Sequence, residues 1–263
     1  MVMKKIAIAF VALALFVVIS ARAKASTYTA SEATTASKKE ASVTLKASAT
    51  FVVSNLDLVV TLSNTGTYDP RNPADILTGV FFKLAGDQHL TPVAATVASG
   101  SSVIGHRLPL GFSGDVSGEW AYTNNLAYAP SAGIDDNEGI SSTKLKWFKK
   151  KDLFGEKIRG TSPLSGAQFG ITTLDDLASN DKGGIKNKAL IQTTVVFVFD
   201  NLPSGFTVDD ISGVTFQYGT SIKSGIDTAG ELVAQLPEPN TISLVVVGLL
   251  GAVALTGVRA RRR

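Results

Sequence analysis

The chain has 263 residues, 25 Lys+Arg against 22 Asp+Glu for a formal net charge of +3, and no cysteine. The missing thiols exclude a disulfide framework, a thiolate metal site and a cysteine nucleophile, so the fold must be held by its core. Eight of the basic residues sit at the two ends, Lys4, Lys5, Arg22 and Lys24 at one and Arg259, Arg261, Arg262 and Arg263 at the other. Taking those eight from 25 leaves 17 basic residues against 22 acidic ones, a net of −5 for the middle of the chain, which gives no reason to expect nucleic acid as a partner.

Lys4 and Lys5 precede an apolar run from Ile6 to Ile19, followed by small residues at Ala21, Ala23 and Ala25. This is the layout of a secretory signal peptide over residues 1–25, with cleavage after Ala25 favoured and cleavage after Ala23 left open. The alternative, a first membrane span, is disfavoured by a run of only about fourteen residues. Such a leader implies passage through the Sec translocon and removal by signal peptidase.

Residues 26–40 are rich in Ser, Thr, Ala and Lys without periodicity and read as a flexible lead-in. Alternation then begins. Val43, Leu45, Ala47, Ala49, Phe51 and Val53 occupy every second position, and Leu56, Leu58, Val60 and Leu62 repeat the pattern after Ser54-Asn55. A two-residue turn at Ser54-Asn55 predicts a hairpin in which Val53 faces Leu56, Phe51 faces Leu58 and Ala49 faces Val60. Asn64 to Asn72 is a loop by its Gly66, Asp69 and Pro70, and Asp75 to Leu84 reads as a strand with Ile76, Val80, Phe82 and Leu84 on one side.

Weaker strands are expected over 91–97 and 118–122, while 129–188 shows no pattern that fixes its structure. Ala189 to Phe199 is apolar on both faces, as in a central strand of a two-layer β fold. A turn at Leu202-Pro203-Ser204-Gly205 leads to the alternating Val214, Phe216 and Tyr218. With few helical periods outside the two apolar end segments, residues 41–236 read as one all-β domain. The expected architecture is an antiparallel β-sandwich, Ig-like or jelly-roll-like, flanked by the signal peptide and a C-terminal transmembrane helix.

That helix is the run Thr241 to Val258, preceded by Pro237-Glu238-Pro239-Asn240 and followed by Arg259-Ala260-Arg261-Arg262-Arg263. About eighteen helical residues span about 27 Å, just enough for a hydrocarbon core of about 30 Å. The prolines place its start after Pro239, and the arginines form a stop held in the cytoplasm. Both ends then stay on the cytoplasmic side while the middle crosses.

In order, spacing and position the tail resembles the PEP-CTERM sorting signal, with Pro237, Glu238 and Pro239 as the motif and residues 237–263 as the whole signal. The hairpin, the stretch Asp75-Ile76-Leu77-Thr78-Gly79-Val80-Phe81-Phe82 and the stretch Val214-Thr215-Phe216-Gln217-Tyr218-Gly219-Thr220 are similar to exosortase-dependent surface proteins over most of residues 41–239. The resemblance implies recognition of the motif by an exosortase, a transient stay in the inner membrane, and a destination at the cell surface or in the extracellular matrix of a Gram-negative-type bacterium, in association with exopolysaccharide. It implies no catalytic residue and no cofactor. An uncleaved membrane anchor is the alternative.

Catalytic and ligand signals are sparse. The two histidines, His89 and His106, lack a Gly-x-Ser-x-Gly elbow or a His-x-x-x-His spacing and read as polar loop residues. Asp135-Asp136-Asn137-Glu138-Gly139 offers hard oxygen ligands of the kind Ca²⁺ takes, but a solvated acidic loop is the simpler reading, as for Asp175-Asp176 and Asp209-Asp210.

Lys144, Lys146, Lys149, Lys150 and Lys151 surround Leu145, Trp147 and Phe148. This pattern suits either an anionic polysaccharide contact through Trp147 or an edge strand guarded by lysines. Trp120 and Tyr122 are candidates for a sugar site or for the core. The leading expectation is a non-enzymatic exported surface protein; the rivals are a carbohydrate-binding module and a secreted hydrolase.

Overall fold

The computed structural model describes residues 24–34, 43–54, 56–86, 89–105, 108–124, 126, 136–180, 183–220, 227–228 and 233–235. In chain order its strands are β1 (Lys24–Thr34), β2 (Val43–Ser54), β3 (Asp57–Asn64), β4 (Leu77–Leu84), β5 (Thr91–Val97), β6 (Ser102–Ile104), β7 (Ala121–Thr123), β8 (Glu138–Ser141), β9 (Ile171–Thr172), β10 (Leu190–Gln192), β11 (Thr194–Asp200), β12 (Ile211–Tyr218), β13 (Asp227–Thr228) and β14 (Val233–Gln235). Among the described residues the only helical pieces are single 3-10 turns, and no helix is long and apolar enough to cross a membrane. The leader's apolar run and the segment 241–258 lie outside the described residues.

One sheet has the order β14-β1-β2-β3-β11-β5, and the other β13-β12-β4-β9-β10-β6 with β8 also on β4 and β7 on β8. All of these pairs are antiparallel except β9 with β10. Their inner faces share one core of Leu45, Phe51, Leu58, Val60 and Phe197 from the first sheet and Val80, Phe82, Ile191, Phe216 and Tyr218 from the second. Ring contacts cross the interface edge-on: Phe51 to Phe82 at 5.2 Å, Trp120 to Phe197 at 5.1 Å and Tyr122 to Phe199 at 4.9 Å. Edge-to-face is the geometry that the aromatic quadrupole prefers.

The β2–β3 hairpin forms, with a register two residues from the one its sequence suggests. Ser54 pairs with Asp57, Val53 with Leu58, Phe51 with Val60 and Ala49 with Leu62. The strands therefore close between Ser54 and Asp57, and Leu56 is 65% exposed where the expected register put it against Val53. A shift of two leaves every side chain on its own face, so Leu45, Ala47, Ala49, Phe51, Leu58, Val60 and Leu62 are buried in either register.

Two further expectations are corrected. The first half of the supposed lead-in is β1, which pairs with β2 along its whole length from Lys24 opposite Val53 to Thr34 opposite Val43. Its Ser, Thr and Ala residues carry no period-2 pattern, because what holds it is the backbone ladder rather than an apolar face. Ala25, the favoured cleavage position, stands opposite Val52 within this ladder; Ala23 lies outside the described residues. The second correction is that the apolar run from Ala189 to Phe199 is two strands. Thr193, at φ +70°, turns the chain out of β10 in one sheet and into β11 in the other. Val195, Phe197 and Phe199 then point into the core and Val196 and Val198 away from it.

Strand β4 is buried on both faces. Val80, Phe82 and Leu84 enter the common core, while Phe81 belongs to a second cluster with Ala121, Leu126, Leu145, Phe148 and Leu164. That cluster covers the outer face of the second sheet with the long segment between β8 and β9, and this is the segment that carries the basic residues.

Candidate functional site

From Ser142 to Gly170 the chain forms turns rather than the lysine-guarded edge strand that its composition suggests. Buried anchors alternate with exposed cations. Leu145 and Phe148 point inward, Phe148 at 6.4 Å from the Phe81 ring, while Lys144, Lys146, Lys149, Lys150 and Lys151 are all exposed. Asp152 turns its carboxylate back to accept the Lys149 amide at 2.9 Å and closes a 3-10 turn. The ring of Trp147 is half-buried, and Lys146 Nζ stands 4.4 Å from its centroid. A cation therefore already covers one face of this ring.

The next stretch is clamped to the body of the domain. Phe154 N–H donates to the Trp120 carbonyl at 3.1 Å and Gly155 N–H to the Ser117 carbonyl at 3.1 Å. Glu119, buried in the 3-10 turn Ser117–Glu119, accepts the Ile158 amide at 3.2 Å and the Thr161 hydroxyl through Oε1. Gly118 has no side chain for a steric reason: a Cβ there would lie 2.0 Å from the Glu156 carbonyl oxygen and 2.3 Å from Lys157 Cα. Desolvation raises the Glu119 pKa against the opposing pull of these hydrogen bonds and of Lys157.

The outcome is an open depression of about 660 Å³ lined by the exposed cations Lys150, Lys157 and Arg159, with Glu156 as the acidic member, the half-buried Leu153 as apolar surface and the buried Pro163 in its wall. Between residues 144 and 163 seven Lys and Arg stand against Asp152 and Glu156. In a middle region whose net charge is −5, this is a strong local inversion of sign.

The other candidate residues fall elsewhere. Trp120 is fully buried, with its ring against Phe197 and no hydrogen-bond partner for Nε1, so it is a core residue and not a sugar contact. Tyr122 is buried against Phe199. His89 is exposed, with Nδ1 2.6 Å from Asn124 Nδ2, and His106 lies outside the described residues. Pro237, Glu238, Pro239, Arg259, Arg261, Arg262 and Arg263 are also outside them. Among the described residues no three His or carboxylate side chains converge on one point.

No family model, curated protein or solved structure matches this chain.

The acidic stretch at 135–139 is not a solvated loop where it is described. Asp136 and Glu138 are buried, and Asn137 pairs with both backbone groups of Leu84, at 2.8 Å and 3.2 Å. Glu138 accepts the Tyr122 hydroxyl, and burial pushes its pKa up to about 7 against the lowering effect of that bond. Asp176, likewise buried, accepts the Thr172 hydroxyl, and desolvation raises its pKa; Asp210 accepts the Thr207 amide at 2.8 Å as a turn cap. These carboxylates hold structure together. The sequence signalled the lysines, but the partners that shape their loop, Gly118 and Glu119, come from about 40 residues earlier and carry no local mark.

Proposed function

We propose that this chain is a non-enzymatic exported protein of the cell surface or extracellular matrix of a Gram-negative-type bacterium, sorted by an exosortase and associated with exopolysaccharide. The observation that carries the reading is the ordered tail: Pro237-Glu238-Pro239, the uncharged apolar run Thr241 to Val258, and the arginines from Arg259 to Arg263. The pairing of the ends supports it. Strands β1 and β14 are antiparallel neighbours, with Thr27 opposite Gln235. The chain therefore enters and leaves the domain at one sheet edge and at the same end of it, which suits a domain whose two flanking segments lead to the same membrane.

The two sheets and their shared core support reading the exported part as a β-sandwich, Ig-like or jelly-roll-like, between a signal peptide and a transmembrane helix. Ala25 is laddered to Val52, so on this reading signal peptidase acts before β1 docks on β2. A plain anchor needs only an apolar helix and a basic stop. A sorting signal must be read by a protein, and two prolines around one carboxylate present a stiff extended shape with a single charge. Replacing Pro237, Glu238 and Pro239 together by Ala in the native host is expected to trap full-length protein in the inner membrane. Unchanged release of that variant would refute the proposal.

A further inference from the structure

We infer that the depression between residues 150 and 163 binds a linear acidic polysaccharide, with Lys150, Lys157 and Arg159 pairing with successive anionic groups along the chain. Three features select an extended polyanion. The depression is open and not enclosed, and its space of about 660 Å³ exceeds what one small anion needs. The half-buried Leu153 adds apolar surface of the kind that sugar ring C–H faces cover. The loop is shaped in advance, because Glu119 holds the Ile158 amide and the Thr161 hydroxyl, and Gly118 lets the Glu156–Lys157 backbone lie flat against it. Ligand binding then has little backbone left to order.

Position in the fold separates this ligand from an anionic membrane. The segment beneath the depression is tied to β5, through Val116 N–H to the Ala95 carbonyl at 2.8 Å and Ala95 N–H to Ser117 Oγ at 2.9 Å. Strand β5 is the last of its sheet, and β14 and β1 form the opposite edge. Five strand spacings of about 4.8 Å put roughly 24 Å between the cation-bearing edge and the edge where the chain's two ends emerge. If those ends face the membrane, which rests on the reading above, the depression is displaced across the sheet from their exit point by that distance. The middle region nets −5 with the segment 144–163 at +5 (seven cations, two carboxylates), so its remainder, at −10, repels a polyanion elsewhere and favours contact at this segment.

The test uses the full chain in phosphatidylcholine nanodiscs, so that binding is scored without any processing step and a failed sorting hypothesis leaves it readable. The probes are polygalacturonate, polyphosphate, dextran and separate phosphatidylglycerol vesicles. The expected result is salt-sensitive binding of polygalacturonate and none of dextran. The Lys150→Gln/Lys157→Gln/Arg159→Gln variant should lose at least about tenfold, since exposed ion pairs are each worth a factor of about two to five. Lys186→Gln, outside the depression, should bind as the unaltered chain does. Should the triple variant lose its fold by circular dichroism, Lys157→Gln alone should still weaken binding about two- to fivefold. Equal affinity for dextran, preference for polyphosphate or for the vesicles, or full polygalacturonate binding by the folded variants would each overturn the inference.

Discussion

Phe51 is the residue on which the joining of the two sheets can be tested most sharply. Its side chain is fully buried, stands opposite Val60 in the β2–β3 ladder, and meets the Phe82 ring of the other sheet edge-on at 5.2 Å. Phe51→Ala removes the ring and leaves a cavity that close-packed strands on both sides cannot fill, a loss of about 3–5 kcal/mol. For a domain of this size about 1 kcal/mol moves the melting temperature by about 2–4 °C, so a fall of roughly 6–20 °C is expected. Thr50, one residue away on the other face, offers a control. Its hydroxyl exchanges one half-buried hydrogen bond with Thr27 at 3.0 Å, and Thr50→Ala should cost no more than about 1 kcal/mol. The assay is thermal unfolding followed by far- and near-ultraviolet circular dichroism, extended to a double-mutant cycle with Phe82→Ala. The ring pair should give a coupling of about 0.5–1.5 kcal/mol. If Phe51→Ala and Thr50→Ala melt alike, or the cycle shows no coupling, the shared core described for the two sheets is wrong.

Two further outcomes are expected. Glu138 holds its proton up to about pH 7 in the folded state against 4.5 as its ordinary value. Stability should therefore fall as pH rises through that window, by at most about 3 kcal/mol, and Glu138→Gln should flatten this slope in urea titrations at pH 4, 6 and 8; an unchanged slope would remove Glu138 as its source. A Thr27→Cys/Gln235→Cys variant of this cysteine-free chain should form a disulfide on oxidation, because paired strand positions lie about 4.5–5.5 Å apart at Cα, inside the bridging range. Thr29→Cys/Gln235→Cys, displaced by two positions, should not, and the reverse mobility pattern on non-reducing gels would contradict the β1–β14 register.

What the sequence disclosed followed from the range of the forces involved. The strict alternation from Val43 to Leu62 identifies the buried faces of β2 and β3, since a period of two is a local property. The register is decided elsewhere. Ser54-Asn55 and Asn55-Leu56 are equally short loops, and the two choices preserve the same faces, so nothing local separates them. The run Ala189 to Phe199 looked like one strand because the break falls at Thr193, a β-branched residue in a left-handed conformation that composition does not announce. Strand β1 was hidden for the opposite reason, being held by its backbone ladder with no apolar stripe to betray it. The basic cluster was visible, yet its shape was not. That shape depends on Leu145, Phe148 and Leu164 reaching the outer face of β4 and on Gly118 and Glu119 receiving the loop from a distance.

The fate of the tail decides the proposed function, and the intact mass of the unaltered protein recovered from fractions of its native host tests it most directly. The proposed function predicts protein outside the inner membrane whose mass lacks both the leader and the segment from the apolar helix through Arg263. Protein that still carries Arg263 and remains embedded in the inner membrane would contradict the sorting reading and leave a single-span membrane protein.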